Sequence, residues 1–244
     1  MIELYPAIDL LGGRVVRLRQ GDYSDETEYG TDPVAMAQSF ADAGSPWIHV
    51  VDLDAAKSGD PVNRPVVAAI ADAVRGGSRV QTGGGVRSVD DARQLAEAGV
   101  ARVVMGSAAV RDPGLVATVS EVVPVAVGLD HRGGELAVHG WTEGSGVMLD
   151  DAYERFPTAE VFVITDIGRD GMLEGPDIDG LARSAALAGA PVIASGGVSS
   201  LADIEALAAI SGLGGVITGK AVYEGRFTVT EALVALARAH GEHE

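Results

Sequence analysis

Three aspartates stand where short apolar runs give way to polar ones. Asp9 follows Tyr5-Pro-Ala-Ile8, Asp130 follows Val125-Ala-Val-Gly-Leu129, and Asp170 lies within Thr165-Asp-Ile-Gly-Arg-Asp-Gly171. Two carboxylates across a pocket can divide acid–base work, one kept protonated by burial or a like charge, the other ionised. Aspartate at such a junction also caps helices and turns, and Asp52, Asp54 and Asp166 are read that way. Glycine-rich turns form the second chemical signal: Gly83-Gly-Gly85, Gly106-Ser107, Ser195-Gly-Gly197 and Gly219-Lys220. Glycine lets backbone N–H groups close around an anion, and a following helix N-terminus adds partial positive charge. Any one of these turns alone reads as a tight turn with positive φ.

Their recurrence changes that reading. Thr82-Gly-Gly-Gly-Val-Arg-Ser88 aligns with Ser195-Gly-Gly-Val-Ser-Ser200, Asp91 with Asp203 and Leu95 with Leu207. After one inserted residue, Val103-Val-Met-Gly-Ser-Ala108 falls on Val216-Ile-Thr-Gly-Lys-Ala221, and Ile8-Asp-Leu-Leu-Gly-Gly13 resembles Leu129-Asp-His-Arg-Gly-Gly134. The sequence thus reads as two copies of one unit, about 1–122 and 123–244, within a single domain. Gly84, Gly85, Gly106 and Ser107 would form one phosphate cradle, and Ser195, Gly196, Gly197, Gly219 and Lys220 a second. Two cradles suit a small ligand with a phosphate at each end.

The elements that must hold these residues alternate along the chain. Strands are expected at Ile2–Ile8, Trp47–Val51, Ser78–Thr82, Arg102–Met105, Val123–Leu129, Glu160–Thr165, Pro191–Ala194 and Gly215–Thr218. Helical spacing of apolar residues marks Pro33–Ala43, Pro61–Arg75, Val89–Ala98, Pro113–Val122, Leu149–Phe156, Ile178–Ala188, Leu201–Ile210 and Thr228–Ala239. Continuously apolar strands are those covered on both faces. Eight such units with right-handed crossovers close most simply into an α/β (β/α)8 TIM barrel, whose chemistry sits at the C-terminal strand ends.

Composition narrows the function further. No cysteine is present among 244 residues, which excludes disulfides, thiolate metal sites and a Cys nucleophile. Eighteen basic against 35 acidic residues, a net charge of -17, argue against nucleic acid as a partner. The uncharged run 184–202 is broken by Gly189, Pro191, Gly196 and Gly197, so no membrane span is expected. The amino terminus lacks signal-peptide features, and a cytoplasmic monomer is expected. No metal site is expected, as neither HExxH nor a His pair accompanies the carboxylates. Trp141, flanked by Gly140 in a long loop from His131 to Gly146, is read as an aromatic lid. Arg17, Arg19 and Arg87 either meet phosphate or face solvent, and His49 is either a satisfied core imidazole or a ligand contact.

Taken in order, Pro6-Ala-Ile-Asp-Leu10, Gly13–Tyr23, His49-Val-Val-Asp-Leu-Asp-Ala55, Gly83–Arg87, Gly140-Trp141, Thr165–Gly171, Ala194–Val198 and Gly219-Lys-Ala221 resemble the ProFAR isomerases of histidine biosynthesis. ProFAR is phosphoribosylformimino-aminoimidazole carboxamide ribotide, with a phosphate on each of two riboses. The resemblance covers the whole chain and implies a cofactor-free Amadori rearrangement of an aminoaldose to an aminoketose. It implies Asp170 as the acid that protonates the ribose ring oxygen and Asp9 as the base that removes the C2 proton. Asp130 would be a third important carboxylate. Thr165 would lie beside the acid, Trp141 over the imidazole carboxamide, and Arg17 and Arg87 on substrate.

Three other readings compete. A bifunctional actinobacterial relative also isomerises phosphoribosyl anthranilate, but usually carries Arg-Gly-Trp where this chain has His139-Gly-Trp141, and lacks the segment matching Gln20-Gly-Asp-Tyr23. The cyclase subunit of imidazole glycerol phosphate synthase has a cysteine where Ile8 stands and a lysine in the following hairpin. A non-catalytic phosphate-binding barrel would bind without turnover.

Overall fold

The computed structural model describes residues 2–241, with side chains described through residue 239. Eight parallel strands close a barrel: β1 (Glu3–Leu11), β2 (Trp47–Asp52), β3 (Arg79–Gly83), β4 (Arg102–Met105), β5 (Val125–Arg132), β6 (Val161–Asp166), β7 (Val192–Ser195) and β8 (Leu213–Thr218). Each pairs with the next, and β8 returns to β1 through Glu3↔Gly215 and Tyr5↔Ile217, leaving the barrel no open edge.

Strand parity separates two cores. On β1, Leu4, Ile8 and Leu10 point outward into the large cluster shared with the helices. Tyr5 and Ala7 point inward, joining Trp47, Ala126, Val161, Val163, Ile193 and Ile217 in a cluster that fills the barrel. The N-terminal end is plugged by Trp47, which stacks on Tyr5 at 5.5 Å and lies beneath the guanidinium groups of Arg79 and Arg102, at 4.1 and 4.2 Å. The barrel therefore opens only at the other end, where the strands run into their helices. Side-chain caps mark several of those junctions: Ser88 accepts from Asp91 N, and Ser200 forms a reciprocal capping box with Asp203.

Several expected boundaries move. The first strand runs on through Leu11 because Asp9–Leu11 pair antiparallel with Arg14–Val16, the first leg of a hairpin (Arg14–Arg19, Asp22–Gly30). The expected loop 131–146 is likewise largely ordered as strands: β5 continues to Arg132, and Glu135–Val138 pairs with Glu143–Met148. The expected helix Leu149–Phe156 is instead two 3-10 turns, Leu149–Asp151 and Tyr153–Arg155. Its apolar residues Leu149, Ala152, Tyr153 and Phe156 are buried as their spacing implied. Pro157 disfavours α geometry at Phe156, whose φ and ψ are -127 and 61, so the helix does not propagate. The expected helix from Pro61 begins at Arg64, and a short helix, Leu53–Ser58, precedes it. No helix among the described residues is long and apolar enough to cross a membrane.

Candidate active site

One cavity occupies the open end of the barrel and takes residues from all eight strands or the turns that follow them. Every residue expected at the site lines it: Asp9, Arg17, His49, Gly84, Gly85, Arg87, Gly106, Ser107, Asp130, Trp141, Thr165, Asp170, Ser195, Gly196, Gly197, Gly219 and Lys220.

Asp9 points inward from β1, and its Oδ2 accepts a hydrogen bond from Arg17 Nη1 at 2.5 Å. The antiparallel register Asp9↔Val16 places Arg17 beside it. The guanidinium lies over Gly219: a Cβ built there would fall 1.2 Å from Arg17 Nη2, so a side chain at 219 would displace the arginine from this position. Burial opposes the charge on Arg17, but Asp9 and Asp170 outweigh it and raise its pKa.

Asp170 occupies the turn after β6, its backbone N–H donating to Asp166 O at 3.1 Å. The residue is half-buried at the mouth, yet its carboxyl is walled by protein, and this desolvation pushes its pKa up to about 6. Arg17 opposes that rise, while Asp9 and Asp130 reinforce it. Asp130 projects from β5 in register with Thr165. Burial raises its pKa against the pull of two donors, the Trp141 indole at 2.7 Å and the Thr165 hydroxyl. The result is one carboxylate held in an ion pair and two that resist ionisation, all facing one space.

The glycine turns after β3 and β7 have matched geometry. Gly84 and Gly196 have φ of 91 and 92, Gly85 and Gly197 of 75 and 84. Close approach also requires them: a Cβ on Gly84 would fall 2.1 Å from Asp52 O, and one on Gly197 2.4 Å from Gly175 O. Ser107 Oγ accepts from His139 N at 2.9 Å, and Lys220 Nζ donates to Gly171 O at 2.9 Å. The turns are thereby tied to the β5 hairpin and to the Asp170 segment.

Trp141, at φ 72, sits in the turn of the β5 hairpin against Gly21 of the β1 hairpin, so the two excursions meet across the mouth. Arg87 lines the cavity while its Nη2 donates to Ala55 O and Ala56 O, each at 3.2 Å. Arg19 is exposed. His49 is buried with an internal partner, Gln81, as a satisfied core imidazole would be, and it also lines the cavity. Asp52 and Asp54 are structural: Asp52 caps the Leu53–Ser58 helix through Ala55 N, and Asp54 accepts from Gly12 N at 2.7 Å. Asp166 Oδ1 likewise accepts from Gly168 N.

Sequence reasoning missed Gly21, Tyr23 and Leu173 in the cavity wall, and the buried Asn63 and Gln81 that brace it. Strand parity would have found Gln81, two residues before Gly83 on the same face. Asn63 carries no local signal, because its role is to join segments far apart in sequence.

A closed parallel barrel with acid–base groups and glycine turns at its C-terminal mouth defines an α/β-barrel enzyme. The chain belongs to the family described as histidine biosynthesis protein, whose model matches residues 3–228. It is 47% identical over 240 residues to a Synechococcus protein, covering 96% of this chain and 91% of the relative. A Geobacillus thermodenitrificans relative is 47% identical, over 96% of this chain and 97% of its own. One from Shouchella clausii is 48% identical, over 94% and 96%. All three are named 1-(5-phosphoribosyl)-5-((5-phosphoribosylamino)methylideneamino)imidazole-4-carboxamide isomerase.

Proposed function

We propose that this chain is the isomerase that converts ProFAR to its aminoketose in histidine biosynthesis, by acid–base catalysis between Asp170 and Asp9. The observation that carries the reading is the contrast within one cavity: burial pushes Asp170 up to about 6, whereas Asp9 is paired with Arg17 at 2.5 Å. Protonated Asp170 gives its proton to the ribose ring oxygen as the C1–O bond breaks and C1 becomes a Schiff base. The Asp9 carboxylate removes the C2 proton, and the electron pair moves to form an enolamine. Reprotonation at C1 and loss of the C2 hydroxyl proton then yield the ketose, so no atom is gained or lost.

The remaining residues have supporting roles in this proposal. Asp130 holds Trp141 and Thr165, Trp141 covers the carboxamide ring, and the two sets of glycine turns, with Arg17, Arg87 and Lys220, hold the terminal phosphates. Those phosphates add negative charge near Asp170 and favour its protonated form. The same reading treats the chain as a cytoplasmic monomer, one domain of two duplicated half-barrels, with no nucleic-acid partner.

A steady-state assay of the purified protein with ProFAR tests this. Asp9→Asn and Asp170→Asn are each expected to lower turnover by about 10²–10⁴-fold while a bisphosphorylated product analogue still binds. Full activity in either variant defeats the assignment. Phosphoribosyl anthranilate in a parallel assay is expected to give no turnover, in keeping with the single activity in the relatives' names.

A further inference from the structure

Beneath the carboxylates lies a polar row that the proposed reaction does not use. The barrel register sets His49 opposite Gln81 and Gln81 opposite Arg102, so three adjacent strands present these side chains at one level. His49 is on the strand register of Ala7, one inward layer below Asp9. Gln81 is fully buried and Arg102 nearly so.

The row has a direction, and guanidinium chemistry sets it. Arg102 has donors only, so the atom of Gln81 that faces its Nη1 at 2.9 Å is the amide oxygen. The amide nitrogen must then face His49, where Nδ1 lies at 3.0 Å. That nitrogen brings a hydrogen, so His49 Nδ1 must accept and the ring proton must reside on Nε2. Arg102 cannot turn to relax the arrangement. Its Nε and Nη2 both donate to Glu160 Oε1, at 3.0 and 2.5 Å, and its planar group lies 4.2 Å over Trp47.

We propose that Gln81 and Arg102 are positioning residues that lock His49 as the neutral Nε2–H tautomer, whose N–H donates to an oxygen of the sugar being isomerised. This rests on the isomerase reading for its substrate, though not for its tautomer. The alternative tautomer would set two N–H groups against each other in a buried space, the costly case for an unmade hydrogen bond. Burial, with Arg17 nearby, pushes the imidazole down to about 3, so the ring stays neutral and is a donor at one nitrogen only. A donor fixed before substrate arrives favours the state in which charge develops on its acceptor, since no reorganisation is needed at that moment.

Imidazole ¹⁵N NMR of the intact protein tests the tautomer directly. The chain has five histidines, and His49→Gln assigns the signal. The expected spectrum has His49 with a bare Nδ1 and a protonated Nε2, unchanged from about pH 5 to about pH 8. A proton on Nδ1, or an even mixture, overturns the proposal. Gln81→Glu offers a carboxylate that accepts from Nδ1–H while still meeting Arg102. It is expected to move the ring proton from Nε2 to Nδ1 and lower kcat about 100-fold with little change in KM. Gln81→Met, which supplies no donor, is expected to give mixed tautomers and an intermediate kcat. An inverted tautomer with wild-type kcat overturns the link to catalysis. If the unaltered chain does not turn over ProFAR, the isomerase reading fails while the spectrum still decides the tautomer.

Discussion

Asp170, the proposed acid, illustrates how a side chain suited to chemistry can be harmful to folding. Its folded-state value of about 6 lies above the ordinary 3.8, with burial the main cause. Between those values the folded chain holds more protons than the unfolded one, so stability falls as pH rises through this window. The penalty is complete above about pH 6 and absent below about pH 4. Asp170→Asn removes it, and after allowance for solvent at the mouth should stabilise the protein at pH 7.5 by about 1 kcal/mol. For a chain of this length that is roughly 2–4 °C in Tm. Calorimetry at pH 7.5 and pH 4 checks the sign, because the advantage of the variant must vanish at the lower pH. In the wild type, the same ionisation should switch off turnover on the alkaline side, with an inflection above 6 once phosphates are bound. A pH–rate profile of kcat measures it, and an inflection well below 6 would remove Asp170 as the acid.

At the scale of elements, the proposed catalytic groups depend on hairpins that the barrel itself does not require. Arg17 reaches Asp9 only because the β1 hairpin folds back over the mouth, and that hairpin is anchored from below. Asn63, just before a helix and almost wholly buried, accepts from Gly13 N at 2.9 Å and donates to both Asp52 and Asp54. Asn63→Ala leaves Gly13 N without its side-chain acceptor and takes one of two donors from each of Asp52 and Asp54, which keep Ala55 N and Gly12 N, and should cost about 2–3 kcal/mol. It should also lower kcat/KM, since the turn Gly12-Gly13 that aims the Arg17 strand is released. Denaturant unfolding and kinetics on the same variant test both effects, and a neutral result in the two assays would show that the hairpin is held by its strand pairing alone. The β5 hairpin works in the same manner, with Trp141 linking Asp130 to Gly21 across the opening.

Across the whole molecule the charge of -17 has two consequences. Like charges spread over a compact body repel one another, and the potential also opposes approach of an anionic ligand. Raising NaCl from about 10 mM to about 150 mM shortens the screening length from about 30 Å to about 8 Å. The thermal midpoint should therefore rise over this range, and a fall would show that exposed ion pairs such as Arg14–Glu28 outweigh the repulsion. The proposed recognition of phosphate would thereby fall to short-range donors at the mouth, which screening affects less than it affects the distant surface.

The barrel and the cluster of site residues were legible in the order of residues, because both rest on local rules. Apolar runs alternating with helical spacing define strand–helix units, and a right-handed connection leaves few ways to close eight of them. Asp9, Asp130 and the glycine turns stand at strand ends, so any closure of that kind brings them to one face. Other features depended on contacts between distant segments. The helical spacing of 149–156 was real as a burial pattern, but Pro157 and the preceding hairpin turned it into 3-10 geometry. The ion pair of Asp9 with Arg17, the rise of the Asp170 pKa, and the direction of the Glu160–Arg102–Gln81–His49 row arise only when strands far apart in the chain become neighbours. Sequence determines which groups a strand presents and on which face. Desolvation, hydrogen-bond polarity and charge pairing belong to the space between strands, and only the closed barrel creates that space.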